Sequence, residues 1–302
     1  MIHEILLAFY YFCYFCYFLD ASLTLVDTIN ITSAYYCSPK GVTQMNGTIY
    51  LACAHSMSMA NSNASVVMFK AESPTIQSQK PLDGASADLS DIAAGCVCKC
   101  LYVADRSGNM LWRVTVTWDG YVVDKFVDVP FPHTLSVSAD GRVFVTNMES
   151  NKLWIFSQQG MTLPTVDMAA FNSLQHVVER STGSMLVCQT GADSIVSEVL
   201  QESGMMKTLQ YYGTKGNDSA MGWLNMPVYM ALDMSEYGWL FVIDNMRVVM
   251  LNAQFNRITM TPVPGLPHRV SYDSASRFLY VCDGTRVYKY RVLVAWGDQQ
   301  WQ

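Results

Sequence analysis

The chain has 302 residues, 51% of them apolar and 15% charged, with a formal net charge of −6. So large an apolar supply excludes a disordered chain and is enough for one large all-β domain or two smaller ones. The acidic balance, with a pI near 5.3 and no basic run, argues against nucleic-acid binding, whose affinity rests on Lys and Arg displacing counterions.

The first element is the uncharged run from Ile5 to Leu19, "ILLAFYYFCYFCYFL", bounded by Glu4 and Asp20. As a helix it would reach roughly 22 Å, short of the hydrocarbon thickness of a bilayer. This favours a secretory leader over an anchor, although "MIHE" lacks the usual positive charge. Residues 1–21 are therefore expected to be a signal peptide or hydrophobic segment, touching a membrane only through residues 5–19 if uncleaved. Residues 22–302 form the body. The expected location is extracellular, with a cytoplasmic chain as the alternative. Four N-x-S/T sequons, at Asn30, Asn46, Asn63 and Asn217, would accept glycans on that route.

Of the nine cysteines, Cys13 and Cys16 lie in the leader, which leaves an odd number in an oxidising compartment. Cys37 and Cys53 flank a hairpin and are expected to pair. Cys96, Cys98 and Cys100 read as alternate residues of one strand, about 6.5 Å apart or more, so their partners are expected on a neighbouring strand. Their spacing does not suit zinc. Cys188 and Cys282 follow apolar runs and read as core thiols.

From Cys100 onward one pattern recurs: an apolar run, a polar turn, and a second apolar run. It appears in "CLYVADRSGNMLWRV", "VFVTNMESNKLWIF", "MLVCQTGADSIVSEV", "LFVIDNMRVVMLN" and "LYVCDGTRVYKYRV". Alignment places Val103, Val145, Val187, Val242 and Val281 in register, about 40 to 55 residues apart. A looser copy, Thr48 to Lys70, precedes them. Each unit reads as a four-stranded antiparallel sheet, and six such units predict an all-β fold, a six-bladed β-propeller of four-stranded antiparallel blades. The segment Ser22 to Ile29 is expected to complete the last blade and remove an exposed edge. The longest insertion, Tyr211 to Pro227, should lie on one rim of the disc.

The stretch from Tyr211 to Asn252, with Gly222, Leu224, Pro227, Asp233, Val242, Asp244, Arg247 and Val248, resembles an NHL repeat. Asp105, Gly108, Asn109 and Arg113 carry the same core in another unit, while Asn147 and Gln189 replace the turn Asp elsewhere. The residues themselves have a structural reading: Asp105, Asp244 and Asp283 can accept backbone N–H groups of the following turn. NHL-like propellers, as the resemblance implies, are binding platforms for protein or RNA, and some form the substrate-recognition part of ubiquitin ligases; no RING or B-box is present here. Related six-bladed lyases and lactonase-type hydrolases hold a metal in the central channel.

His133 and His268 fall at the same place of their units, just after Pro at the start of the innermost strand, and His176 lies one residue off. Three neutral imidazoles there are weak candidates for zinc or calcium; the plainer reading is that each caps a strand through a backbone bond, and His55 is fainter still. No G-x-S-x-G elbow or Cys–His arrangement marks a nucleophile. Trp112 and Trp154 read as blade packing. Tyr211, Tyr212, Met221 and Trp223, in the rim insertion, are the expected partner-binding residues. The expectation is thus a monomeric interaction module without a cofactor, binding a protein, or else a glycan, through one rim. The alternatives are a metal-dependent lyase or lactonase-type hydrolase and a ligase-type recognition propeller.

Overall fold

A computed structural model describes residues 20–31, 37–55, 64–73, 75–95, 97–147, 149–169, 171, 173–200, 206–213, 224–235 and 237–295. Among these residues there are only strands, turns and loops, arranged as six four-stranded antiparallel sheets.

That first strand, β1 (Asp20–Asn30), pairs with β24 (Arg286–Ala295), which continues to β23 (Phe278–Cys282) and β22 (Arg269–Asp273). The chain ends are thereby tied into one blade, as the pattern predicted. The strand starts at Asp20, opposite Ala295, and Ala21 is buried in the core. The expected boundary after residue 21 therefore falls inside this strand.

The first blade comprises β2 (Cys37–Met45), β3 (Thr48–His55), β4 (Ser65–Lys70) and β5 (Ile76–Pro81). The second comprises β6 (Leu89–Gly95), β7 (Cys100–Asp105), β8 (Met110–Thr117) and β9 (Gly120–Asp128). The third is β10 (Thr134–Val137), β11 (Val143–Asn147), β12 (Lys152–Phe156) and the two-residue β13 (Val166–Asp167). The fourth is β14 (Leu174–Glu179), β15 (Met185–Gln189), β16 (Ser194–Leu200) and β17 (Met206–Tyr212). The fifth is β18 (Pro227–Leu232), β19 (Leu240–Asp244), β20 (Arg247–Leu251) and β21 (Arg257–Pro262).

The aligned valines sit in β7, β11, β15, β19 and β23, and all are fully buried. A second strand has neighbours on both edges and both faces, which is why it reads as a nearly continuous apolar run. Six core clusters form, each between two adjacent blades. Phe241 and Ile243 of the fifth blade pack with Leu279 and Val281 of the sixth. Leu51 and Val67 of the first pack with Tyr280 and Val287 of the sixth. Because every blade buries both faces against its neighbours, the disc closes through side chains as well as through β1.

The turn residues act as their chemistry suggests. Asp105 accepts Gly108 N–H at 2.9 Å; Asp283 accepts the N–H groups of Thr285 at 2.9 Å and Arg286 at 2.7 Å. Asn147 does the same for Glu149 at 2.8 Å and Ser150 at 3.1 Å. Asp244 holds Arg247, with Nε at 2.7 Å.

The disulfide Cys37–Cys53 joins β2 to β3 at a sequence separation of 16, a loop length for which about 3 kcal/mol of stabilisation is typical. The other bond corrects the sequence reading: Cys98 pairs with Cys100, with Cα atoms 5.2 Å apart. Residues 97–99 form a turn and do not continue the strand. Lys99 adopts a left-handed φ of 51°, which folds two residues that would alternate on a strand toward each other. Cys96 lies outside the described residues. Cys188 and Cys282 are free and buried, as expected of core thiols.

Candidate functional site

Each blade offers its innermost strand to the axis. The strands β2, β6, β10, β14, β18 and β22 pair on one edge with the second strand of their own sheet and neighbour one another around a closed ring. Their other backbone edge faces the axis, where unmet N–H and C=O groups would be costly. The side chains that meet them come from one structurally equivalent position per blade: the residue opposite the one that follows the aligned valine. Those pairs are Asp91↔Ala104, Thr134↔Thr146, His176↔Cys188, Tyr229↔Ile243 and Arg269↔Cys282, with Gly41↔Ala52 in the looser first unit. All six are buried.

Asp91 is the hub. Its Oδ1 accepts Ile92 N–H at 2.9 Å, and its Oδ2 accepts Leu135 N–H at 2.8 Å from the next blade. Arg269 Nε stands 3.1 Å from Oδ1. Burial pushes the Asp91 carboxyl above its ordinary pKa, while Arg269, the two amides and the Tyr229 hydroxyl pull it back toward the ionised form. Arg269 spends its other nitrogens on carbonyls: Nη2 donates to Ser90 at 2.9 Å and Nη1 to His268 at 2.8 Å. Its guanidinium carbon lies 4.9 Å over the Tyr229 ring.

Tyr229 places its hydroxyl 3.0 Å from Asp91 Oδ2 and 3.1 Å from the Leu135 carbonyl. Its ring stacks on His176, with centroids 3.7 Å apart. His176 is held on both nitrogens. Nε2 donates to the Leu135 carbonyl at 3.1 Å and Nδ1 accepts Met230 N–H at 3.3 Å, which fixes one neutral tautomer. Burial pushes its pKa down to about 3. Thr134 closes the set by donating to the Gln175 carbonyl at 2.9 Å. Gly41 leaves the space that the ion pair fills: a Cβ there would stand 2.6 Å from Ile92 N and 2.9 Å from Asp91 Oδ1.

One residue earlier on each inner strand lies a second layer, Lys40, Ser90, His133, Gln175, Val228 and His268. His133 and His268 are equivalent, as the sequence suggested: each donates its backbone N–H to the second strand of its blade, to Thr146 at 2.9 Å and Cys282 at 3.0 Å. The one-residue offset of His176 is therefore meaningful, since it moves that imidazole into the axial layer. Burial, reinforced by Arg269, lowers His133 to about 3 and His268 to about 4. Both are neutral.

These residues do not fit a channel metal. Among the described residues no group of three His, Cys, Asp or Glu side chains converges. His176 has both nitrogens committed to backbone, and the carboxylate nearest the axis is paired with a guanidinium, which repels a cation. The side chain of His55 is outside the described residues. At the end of the channel away from His133 and His268, a cavity of about 180 Å³ lies between Val42, Ala94, Val137, Val178, Leu232 and Tyr272, with His176 and Tyr229 at its inner end.

Of the expected partner-binding residues, Tyr211 and Tyr212 end β17, and Tyr212 is half-buried against Phe255, 6.1 Å away between ring centroids. Met221 and Trp223 lie outside the described residues, as do the sequon residues Asn63 and Asn217. Asn30 and Asn46 are exposed. Trp112 is 3% exposed and Trp154 packs in the cluster between the second and third blades. Asp91, Tyr229 and Arg269 escape a sequence reading because each repeat carries a different residue at the axial position. Counting back from the aligned valine through the hairpin would have located them.

No protein-family profile matches the chain, so the NHL resemblance stands on its own residues. No curated protein matches by sequence. Solved structures do match in fold. A gluconolactonase from Xanthomonas campestris is 15% identical, with 91% of this chain and 90% of that one covered at a TM-score of 0.66. Virginiamycin B lyase from Staphylococcus aureus is 14% identical over 91% and 90%, at a TM-score of 0.58. An auxiliary nutrient binding protein from Bacteroides thetaiotaomicron is 10% identical over 91% and 77%, at 0.62. At such identities the likeness is one of fold, and that fold serves enzymes and binding proteins alike.

Proposed function

We propose that this chain is a non-catalytic binding propeller that recognises a protein partner, or else a glycan, through a rim of the disc. The observation that carries this reading is the buried Arg269–Asp91 pair, whose guanidinium disfavours a cation in the axial layer. The mouth histidines support it too: imidazoles lowered to about 3 and about 4 are weak general bases near neutral pH. The insertion between Tyr211 and Pro227, which the sequence leads us to expect on a rim, is the proposed contact surface. Two disulfides support export to an oxidising compartment, which would remove the ligase-type alternative.

A second reading, a lyase or lactonase-type hydrolase acting at the channel mouth, is favoured by the fold likeness to a gluconolactonase and to virginiamycin B lyase. One experiment separates the two. The natively purified protein is assayed for bound zinc and calcium and for hydrolysis of gluconolactone, beside a His133→Ala/His268→Ala variant. Near-stoichiometric metal or turnover that disappears in the variant would overturn the binding reading. For that reading we expect neither, together with capture of a secreted protein that is lost when Tyr211, Tyr212, Met221 and Trp223 are changed together.

A further inference from the structure

The two disulfides differ in what surrounds them. Cys37 and Cys53 are 1% and 0% exposed, and their bond ties two strands at a sequence separation of 16. The Cys98–Cys100 bond has a sequence separation of 2, so it restrains the unfolded chain very little. It is not needed to hold its hairpin either, since Gly95 already pairs with Cys100 and Ala94 with Leu101. Stability therefore gives no account of it.

Its surroundings suit exchange. Cys98 is half-buried in a turn whose flanking residues, Val97 and Lys99, are exposed, whereas Cys100 is buried. The Tyr102 hydroxyl lies 3.7 Å from Cys98 Sγ. A Cβ on Gly95 would come within 2.9 Å of Cys98 Sγ and 3.5 Å of Cys100 Sγ, so the glycine makes room for the sulfur pair. Beside the turn stands a second one. Val116 N–H donates to the Lys99 carbonyl at 3.1 Å, and two residues on, the β8–β9 hairpin carries Trp118, 98% exposed, and Val122, 49% exposed; Val97, in the Cys98 turn itself, is 57% exposed. A half-buried disulfide in an exposed turn, with bare apolar side chains beside it, is a seat for an extended peptide.

We propose that Cys98–Cys100 is a thiol–disulfide exchange site for cysteine pairs of peptide substrates, with Trp118 and Val97 as the seat. A substrate thiolate attacks Cys98 Sγ, the Cys98–Cys100 bond breaks, and Cys100 leaves as a thiolate that takes up the substrate's proton. The second substrate thiol then attacks the mixed disulfide and releases Cys98 as a thiol. The peptide pair is oxidised by two electrons, the protein pair is reduced by two, and glutathione disulfide restores it. The Tyr102 hydroxyl can donate to the sulfur of Cys98 whenever it carries charge.

The full oxidised chain is treated with dithiothreitol and, separately, with a reduced two-cysteine peptide containing Leu and Phe; free thiols are trapped by alkylation and mapped. Cys98–Cys100 is expected to open at least ~100-fold faster than Cys37–Cys53, since a buried bond must wait for local opening. Trp118→Ser, a surface change that leaves folding intact, should slow the peptide several-fold and not dithiothreitol. Cys100→Ser should trap Cys98 as a mixed disulfide with the oxidised peptide. Equal rates at the two bonds, no Trp118 dependence, or mapping that pairs Cys96 with either cysteine would overturn the proposal.

Discussion

Arg269 Nε and Asp91 Oδ1 lie 3.1 Å apart at the axis although they belong to the sixth and second blades. The first blade stands between those two, and it contributes Gly41 at the equivalent position. The pair meets across the blade that withholds a side chain.

That vacancy gives the first prediction. Gly41→Ala should destabilise the fold by about 1–3 kcal/mol, the usual cost of overpacking a well-filled core. The backbone N of Ile92 is one of the atoms struck and cannot swing aside. Denaturant titration of the variant against the wild type reads the difference; an unchanged midpoint would show that the ring is looser than described.

Breaking the pair from one side should cost more than removing both halves. Asp91→Asn or Arg269→Met alone leaves a buried group uncompensated, and such losses run to about 3–5 kcal/mol. The double variant should recover a large part of that loss. Equilibrium unfolding of all four proteins completes the cycle, and simple additivity would contradict a direct Asp91–Arg269 interaction.

The histidines make the fold acid-sensitive. His176 is lowered to about 3 when folded against about 6.5 when unfolded, so the unfolded chain binds its proton first. Its stabilising contribution is whole above pH ~6.5 and falls by about 1.4 kcal/mol per pH unit below that, until the folded pKa is reached. His133 and His268 act in the same sense between ~6.5 and their values of about 3 and about 4. Unfolding free energies at pH 7.5, 5.5 and 4.5 should therefore decline steeply, and His176→Gln, though less stable at pH 7.5, should show a shallower decline.

Two tryptophans of the second blade should behave oppositely. Trp112, 3% exposed and donating Nε1–H to Asp105 at 3.2 Å, is expected to cost about 3–5 kcal/mol when changed to Ala. Trp118, 98% exposed, should change stability by less than about 0.5 kcal/mol on replacement by Ser. Thermal melts of both variants check this, and a destabilised Trp118→Ser protein would mean that the hairpin tip is covered.

Features that repeat along the chain could be read from it. The aligned valines mark second strands because every blade sandwiches that strand in the same way. Asp105, Asn147 and Asp283 announce their turns because the bonds they accept are two or three residues away. The hairpin spacing of Cys37 and Cys53 announces their bond for the same reason. The Cys98–Cys100 bond is hidden in the sequence because a single left-handed residue, Lys99, turns what looks like strand alternation into a turn.

Sequence alone thus determined the six four-stranded blades, the closure by β1 and the equivalence of His133 with His268, since each follows from local periodicity repeated along the chain. Tertiary structure decided the axis. Gly41, Asp91, Thr134, His176, Tyr229 and Arg269 share one position but no residue type, and their bonds run between blades that are distant in sequence. Such partners are chosen by which backbone edges converge when the disc closes, a condition that no window of sequence contains.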